Sequence, residues 1–267
     1  MMRRALQACA IGALGCLGGV GCHETPINPL EIQIGYRDGT VDSDFTSNGE
    51  RGTVQVSEVF WAGSVEQVGD GFVHHPDDIF IELQNKFTRP VYLTDWQLQI
   101  ETASTNERLS ARGDARSRVR FRIPERANGL PVQPNEYVII AARTDGAFPD
   151  ADFVIPELDL PSDRWAIGLM DIDNRLIEGG GDEEEDVFAG AWDGVVSRSM
   201  ERVQLIFSNR GNTEVSWHTY SYNDWSNDLH QTLRSRIAEP YRARTFATPG
   251  QPNSPDYSGN TSAGSTD

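Results

Sequence analysis

The sequence predicts an all-β fold, a β-sandwich with one short helical insertion. Apolar and polar residues alternate over about eight short stretches, turn-forming residues separate these stretches, and only one stretch has helical periodicity. The clearest stretch is residues 77–100, with an alternating run at Ile79, Ile81 and Leu83 and a second extended run at residues 91–100. It predicts two strands of one antiparallel sheet, joined as a hairpin or a Greek-key step.

The remaining elements are predicted in order along the chain. Strands are predicted at residues 53–60, 116–123, 137–142, 165–172, 203–207 and 214–220, the last two as a pair. Residues 64–78 are predicted to be a loop, and residues 153–160, which contain Pro156, a loop or an edge strand. Apolar residues recur every fourth position in one stretch and predict a helix that packs on the sandwich and ends at Pro240. They are Trp225, Leu229, Leu233 and Ile237.

The charge of the chain argues against nucleic acid as a partner. Its 267 residues carry a formal net charge of −17 at pH 7, and such a surface repels a polyanion. All 3 cysteines lie within the first 22 residues, so the rest of the chain is predicted to contain neither a disulfide nor a thiolate metal site.

Residues 1–21 have the features of a signal peptide, since two arginines precede an apolar run that is too short to span a membrane. Residues 19–22 resemble the lipobox of bacterial lipoproteins, although Gly19 stands where that motif usually has leucine. The resemblance implies that Cys22 carries acyl chains that anchor the protein in a lipid bilayer. An Asp directly after the acylated cysteine resembles a signal that retains a lipoprotein in the inner membrane. This chain has His23 at that position, which favours the outer membrane. The alternative is a soluble exported protein.

The rest of the chain divides into three predicted parts. Residues 22–51 are polar and rich in Pro, Asp, Ser and Asn, which predicts a flexible tether that carries the lipid anchor. Residues 52–253 contain the strands of the sandwich. Residues 254–267 are rich in Ser, Gly and Thr and are predicted to be a disordered tail.

Four arginines alternate with other residues along one predicted strand and form its most distinctive patch. Because side chains two residues apart lie on the same face of a strand, all four guanidinium groups are expected on one face. They are suited to binding phosphate or sulfate groups on an envelope polysaccharide or another envelope component. The alternative is an edge strand kept soluble by charge. The residues are Arg116, Arg118, Arg120 and Arg122.

Two further groups of side chains suggest metal or acid/base chemistry. The first is His74, His75, Asp77 and Asp78, which are more typical of a turn and strand entry than of a metal-dependent hydrolase. The second is the acidic run 182–186 after three glycines, which is more typical of a solvated insertion than of a calcium site that stabilises an adhesion module. The common catalytic motifs are missing, so a non-catalytic protein without a cofactor is predicted.

Ordered fragments of the sequence resemble the lamin tail domain, an immunoglobulin-like β-sandwich of nuclear lamins and many bacterial exported proteins. The fragments are Ser57-Glu58-Val59 with Trp61 and Gly63, Asp78 with Ile81-Glu82-Leu83 and Asn85, Leu93 with Trp96, residues 135–140, Asp171 with Asn174, residues 199–202, and Thr248-Pro249-Gly250 with Asn253. This sequence departs from the family at Glu178, where an Asp is common, and in its glycine-acidic stretch and its helix.

The resemblance implies an immunoglobulin-like fold and a binding or scaffold role, because bacterial relatives often carry this domain as an accessory beside nucleases or phosphoesterases. It also implies a structural role for Glu82, Asn85, Trp96, Glu201, Arg202, Pro249 and Gly250. We further predict that Arg202 pairs with Glu82 or Glu201 in a partly buried contact.

Overall fold

The computed structural model describes residues 52–103, 116–203, 211–221 and 228–255. Its strands are, in chain order, β1 (Val54–Phe60), β2 (Ser64–Val68), β3 (Gly71–His75), β4 (Phe80–Asn85), β5 (Gln97–Ala103), β6 (Arg116–Arg122), β7 (Tyr137–Ala141), β8 (Phe153–Val154), β9 (Trp165–Met170), β10 (Leu176–Asp182), β11 (Ala191–Trp192), β12 (Ser197–Arg198), β13 (Met200–Arg202), β14 (Trp217–Thr219) and β15 (Thr245–Phe246). The helices are a 3₁₀ turn (Glu214–Ser216), α1 (Asp228–Leu233) and α2 (Glu239–Arg242). The predicted all-β class is confirmed.

Two larger sheets form the body of the fold. The first has six strands in the order β14-β13-β1-β4-β7-β8, and the second has four strands in the order β10-β9-β5-β6. One apolar core joins them, because Val56 and Ile81 of the first sheet belong to the same buried cluster as Ile100 and Ile167 of the second. Two small sheets, β11-β12-β15 and β2-β3, complete the described structure.

The six-stranded sheet is buried on both faces. A register shift between Val56 and Glu58 places an extra residue in β1, so Val56 and Val59 face the sandwich core while Phe60 belongs to a second apolar cluster. This second cluster covers the opposite face of the sheet. Its members are Phe60, Phe80, Ile139, Ala141, Ala147, Phe148, Ile237, Tyr241 and Ala247.

Two predictions about connections were wrong. Strands β4 and β5 lie in different sheets, so residues 77–100 are neither a hairpin nor two strands of one sheet. Between them Val91 pairs with Val132, and buried Trp96 lies where the chain crosses from one sheet to the other. Residues 64–78 are not a loop, because β2 and β3 pair in antiparallel register from Ser64 to His75.

The glycine-rich stretch is part of a strand rather than a solvated insertion. Residues 179–181 pair with β9, and Gly180 packs so closely on Trp217 that an added Cβ would lie 3.1 Å from its ring. Glycine therefore permits the close approach of β10 to the six-stranded sheet. Of the acidic run, Asp182 ends β10 and Glu183 is buried, whereas residues 184–186 are exposed.

The predicted helix also differs from the observed one. Helix α1 ends at Leu233, and Pro240 lies in the first turn of α2 instead of terminating the first helix. Leu233 and Ile237 are buried, which confirms that this region packs on the sheet. Trp225 and the side chain of Leu229 lie outside the described residues.

The predicted strand at residues 203–207 lies outside the described part except for Val203. Within the described part β14 pairs with Met200–Arg202, and residues 214–216 of the second predicted strand form the 3₁₀ turn. Ser254 is buried, so the packed structure extends past Asn253.

In the described ranges no helix is both long and apolar enough to cross a membrane.

Candidate functional site

Three glutamates form a row on the face of the six-stranded sheet that points away from the sandwich core. Glu58 of β1 is paired in register with Glu82 of β4 on one side and with Glu201 of β13 on the other. All three are fully buried. His218 of β14 extends the row, with its Nε2 atom 3.7 Å from Oε2 of Glu201.

A single segment near the end of the described chain covers this row, and we call residues 247–254 the terminal strap. Its backbone N–H groups donate to each carboxyl group: Thr248 to Glu58 (2.9 Å), Gly250 to Glu82 (2.5 Å) and Ser254 to Glu201 (3.0 Å). The conformation suits glycine at position 250, where φ is 72°.

The strap is also held by its asparagine. The amide nitrogen of Asn253 donates to the backbone carbonyls of Ser57 (2.9 Å) and Arg202 (2.8 Å). Ser57 lies at the β1 irregularity, and its hydroxyl donates to Oε1 of Glu82 (2.6 Å). Members of four of the resembling fragments, Ser57, Glu82, Glu201 and Gly250, thus lie in one cluster around the strap.

Burial raises the pKa of all three glutamates. Desolvation is the largest cause, and it raises the pKa of Glu58 to about 7 against the opposing effects of Ser199 and Thr248. For Glu82 and Glu201 desolvation and the neighbouring Glu58 charge together raise the pKa well above the usual range. Among the described residues no arginine or lysine forms an ion pair with the row.

Arg202 pairs with a partner that was not predicted. Its guanidinium lies 3.2 Å from Oε1 of Glu178 and 5.1 Å from the ring centroid of Trp217, so the predicted pairing with Glu82 or Glu201 was wrong. The reason is strand alternation: Glu201 faces the strap, and the next residue, Arg202, points to the other face. Desolvation lowers the pKa of Arg202 and raises that of Glu178.

Asn85 and Trp96 have positions that fit a structural role. The Asn85 amide donates to the carbonyls of Arg89 and Val132, each at 2.9 Å, and its oxygen accepts from the Phe87 N–H at 2.9 Å. Trp96 is buried in the sandwich core.

The arginine row lies on the exposed face of the four-stranded sheet. Arg118 contacts Glu101 (2.9 Å) and Arg122 contacts Asp95. Arg120 donates to the amide oxygens of Gln99 (2.8 Å) and Asn174 (3.3 Å), and no ion pair of the described residues includes it. Two carboxylates therefore oppose three guanidinium groups. The side chain of Arg116, at the start of β6, lies outside those that the structure describes.

The histidines and aspartates near residue 75 contact separate partners. His74 stacks on Trp192 with 4.2 Å between ring centroids, and the His75 Nε2 atom lies 3.0 Å from Glu66. Asp77 pairs with Arg143 at 3.0 Å. Asp78 is buried and accepts hydrogen bonds from the Ser64 hydroxyl and, at 2.7 Å, from the Ala147 N–H.

The carboxyl groups of Asp182 and Asp186, in the acidic run, have separate partners. Asp182 accepts from the Glu184 N–H at 2.8 Å, and Asp186 pairs with Arg164 at 2.9 Å. Within the described ranges no three His, Cys, Asp or Glu side chains are arranged to hold a metal ion.

Sequence reasoning did not single out Glu58, Glu178, Thr248 or Asn253 as members of these contacts. One signal was present for Glu58, because a carboxylate between Ser57 and Val59 interrupts an apolar strand. A charge in such a position is a candidate for a buried, hydrogen-bonded group.

No protein-family model matches this sequence. A comparison with curated proteins also finds no significant match. The function is therefore inferred from the residues of the chain itself.

Proposed function

We propose that this protein is a non-catalytic lipoprotein of the outer membrane whose β-sandwich is a lamin tail-like binding or scaffold module. In this proposal Cys22 carries the acyl anchor, residues 22–51 are the tether, and the sandwich contacts an anionic component of the cell envelope. The lamin tail assignment is supported by the convergence of the resembling fragments, since Ser57, Glu82 and Gly250 are in direct contact.

The observation that carries the binding role is the arginine row on β6. Arg118, Arg120 and Arg122 are exposed on one face, and side chains two residues apart on a strand repeat at about 7 Å. Within the described residues Glu101 pairs with Arg118 and Asp95 with Arg122, while Arg120 has no carboxylate partner, so these three arginines carry one positive charge more than the carboxylates paired with them. On a chain with net charge −17 this patch favours anionic groups locally.

The binding role predicts that lipopolysaccharide binds the protein through the arginine row. Changing Arg118, Arg120 and Arg122 together to Gln is expected to lower the affinity by about tenfold or more, because charge-assisted contacts to phosphate are lost. Binding by the unchanged protein should weaken as salt is added, since exposed charges are screened. The measurement is a titration by calorimetry at two ionic strengths.

Arg164→Gln is the matched control, because Arg164 is an exposed arginine that pairs with Asp186 of the acidic run, away from β6. It is expected to bind with unchanged affinity. Three results would contradict the arginine row as the contact surface. They are an equal loss of affinity in the control and the triple variant, binding that does not depend on salt, and no binding of lipopolysaccharide by the unchanged protein.

The anchor predicts that Cys22 is acylated in cells. An alkyne fatty acid is expected to label the unchanged protein and to leave Cys22→Ala unlabelled, because only the thiol of that residue accepts the first lipid. Cys16→Ala serves as the control and should label normally. Labelling of Cys22→Ala, or none in any form, would remove the lipoprotein assignment and leave an exported soluble module.

A further inference from the structure

The terminal strap shares one hydroxyl group between two carboxyl groups. The Oγ1 atom of Thr248 lies 3.2 Å from Oε2 of Glu58 and 3.0 Å from Oε1 of Glu201. A threonine hydroxyl has a single proton to donate. If both glutamates were ionised, one of these two contacts would be an oxygen pair without a hydrogen between them, inside a fully buried site.

We propose that the glutamate row is a pH-sensitive contact: a proton retained between Glu58 and Thr248 holds the terminal strap on the sheet, and its loss at higher pH releases the strap. In this arrangement the protonated Oε2 of Glu58 donates to Thr248, and the Thr248 hydroxyl donates to Glu201. The backbone N–H of Thr248 donates to the other oxygen of Glu58. Every hydrogen of this chain of contacts then has an acceptor.

The surroundings of the row favour the protonated state. Burial disfavours charge on all three glutamates, and the raised pKa of Glu58 agrees with the proton that this geometry places there. Among the described residues, the titratable groups facing the row are His218 on β14 and Tyr220 after it. The hydroxyl groups facing it belong to Ser57, Ser199, Thr248 and Ser254. Arg236 is the cation beside Gly250. Its guanidinium pairs with Asp152 at 3.7 Å and not with a glutamate of the row.

The sign of the effect follows from linkage. A carboxyl group with a raised pKa in the folded state binds more protons folded than unfolded, so stability falls as pH rises. For Glu58 the stability falls between the ordinary pKa of 4.5 and about pH 7, and the raised pKa values of Glu82 and Glu201 act in the same direction. Asp78 and Glu178 also have raised pKa values, so the row is isolated only by comparing variants.

Glu58→Gln is the deciding variant, because an amide reproduces the protonated acid. Its oxygen accepts from the Thr248 N–H, and its nitrogen donates to the Thr248 hydroxyl. In the unchanged protein, hydrogen exchange at Thr248, Gly250 and Ser254, corrected for intrinsic rates, is expected to accelerate about tenfold or more between about pH 6 and about pH 8.5. In Glu58→Gln the acceleration should be largely lost.

Two further forms complete the test. Glu157→Gln removes an exposed carboxyl group elsewhere and should behave as the unchanged protein. Thr248→Val removes the shared hydroxyl and should exchange rapidly at every pH. A ¹³C titration of the glutamate carboxyl groups in the unchanged protein reports the proton directly. Three ionised carboxyl groups at about pH 6, or an unaltered pH response in Glu58→Gln, would overturn the proposal.

Discussion

Changing Arg202 to Ala is expected to lower the free energy of unfolding by about 3–5 kcal/mol, because it leaves a buried charge without its partner. The Arg202 side chain is 2% exposed and that of Glu178 is 11% exposed. The substitution also removes the contact between the guanidinium and the Trp217 ring. Because the Arg202 side chain is large and buried, its loss leaves a cavity. Denaturation by urea, followed by tryptophan fluorescence, measures the change.

The control for this experiment is Arg164→Ala, which breaks an exposed ion pair with Asp186 and should change stability by about 1 kcal/mol or less. A double variant that also changes Glu178 to Ala should lose less stability than the sum of the single changes, since the two side chains interact. An Arg202→Ala protein with an unaltered melting temperature would contradict the structural role of the pair.

Changing Asn85 to Ala is expected to lower the free energy of unfolding by about 3 kcal/mol. One amide group satisfies the carbonyls of Arg89 and Val132 and the N–H of Phe87, and alanine leaves all three without that partner. A buried polar group that loses its hydrogen bond costs about 1–3 kcal/mol, and partial access of water to the turn reduces the total. The measurement is the shift in the urea midpoint.

Arg89→Ala is the matched control for Asn85, because only the backbone carbonyl of Arg89 takes part in this contact. It should leave stability within about 0.5 kcal/mol. Asn85→Asp is expected to be at least as destabilising as the alanine variant, since it places carboxylate oxygens against two carbonyls. A stable Asn85→Asp protein would show that the amide does not hold this turn.

Local pattern was sufficient to predict several strands. The runs that became β1, β7 and β9 have the apolar content and turn boundaries of core strands, and the structure places them there. The alternation of arginines on β6 also gave the correct face, because period-two spacing is a property of the strand itself.

What local pattern did not predict is which face is covered. Glu82 and Gln84 alternate with Ile81 and Leu83, a pattern typical of a strand with one face in water. Both polar residues are nevertheless buried, because the strap and the second apolar cluster are supplied by distant segments. When distant segments cover a strand, the alternation of polar and apolar residues in that strand does not reveal that both of its faces are buried.

The same limit explains the missed connections. The prediction of a hairpin at residues 77–100 used adjacency in sequence, whereas the chain passes from β4 to β5 in the other sheet. The partner of Arg202 was also missed, since Glu178 directly precedes a glycine-rich stretch that resembles a flexible insertion. In the structure Gly180 packs closely on Trp217, which explains why a strand contains glycine at this position.

The distance along the chain between the strap and its partners has a consequence for the order of folding. Ser57 meets Glu82 across 25 positions, but Thr248 meets Glu58 across 190. The entropy lost on closing a loop grows with its length, and contacts of high sequence separation form slowly. Pairing of β1 with β4 is therefore expected to precede closure by the strap. Until that closure the three glutamates remain in water and ionised near neutral pH, so proton uptake accompanies the last stage of folding.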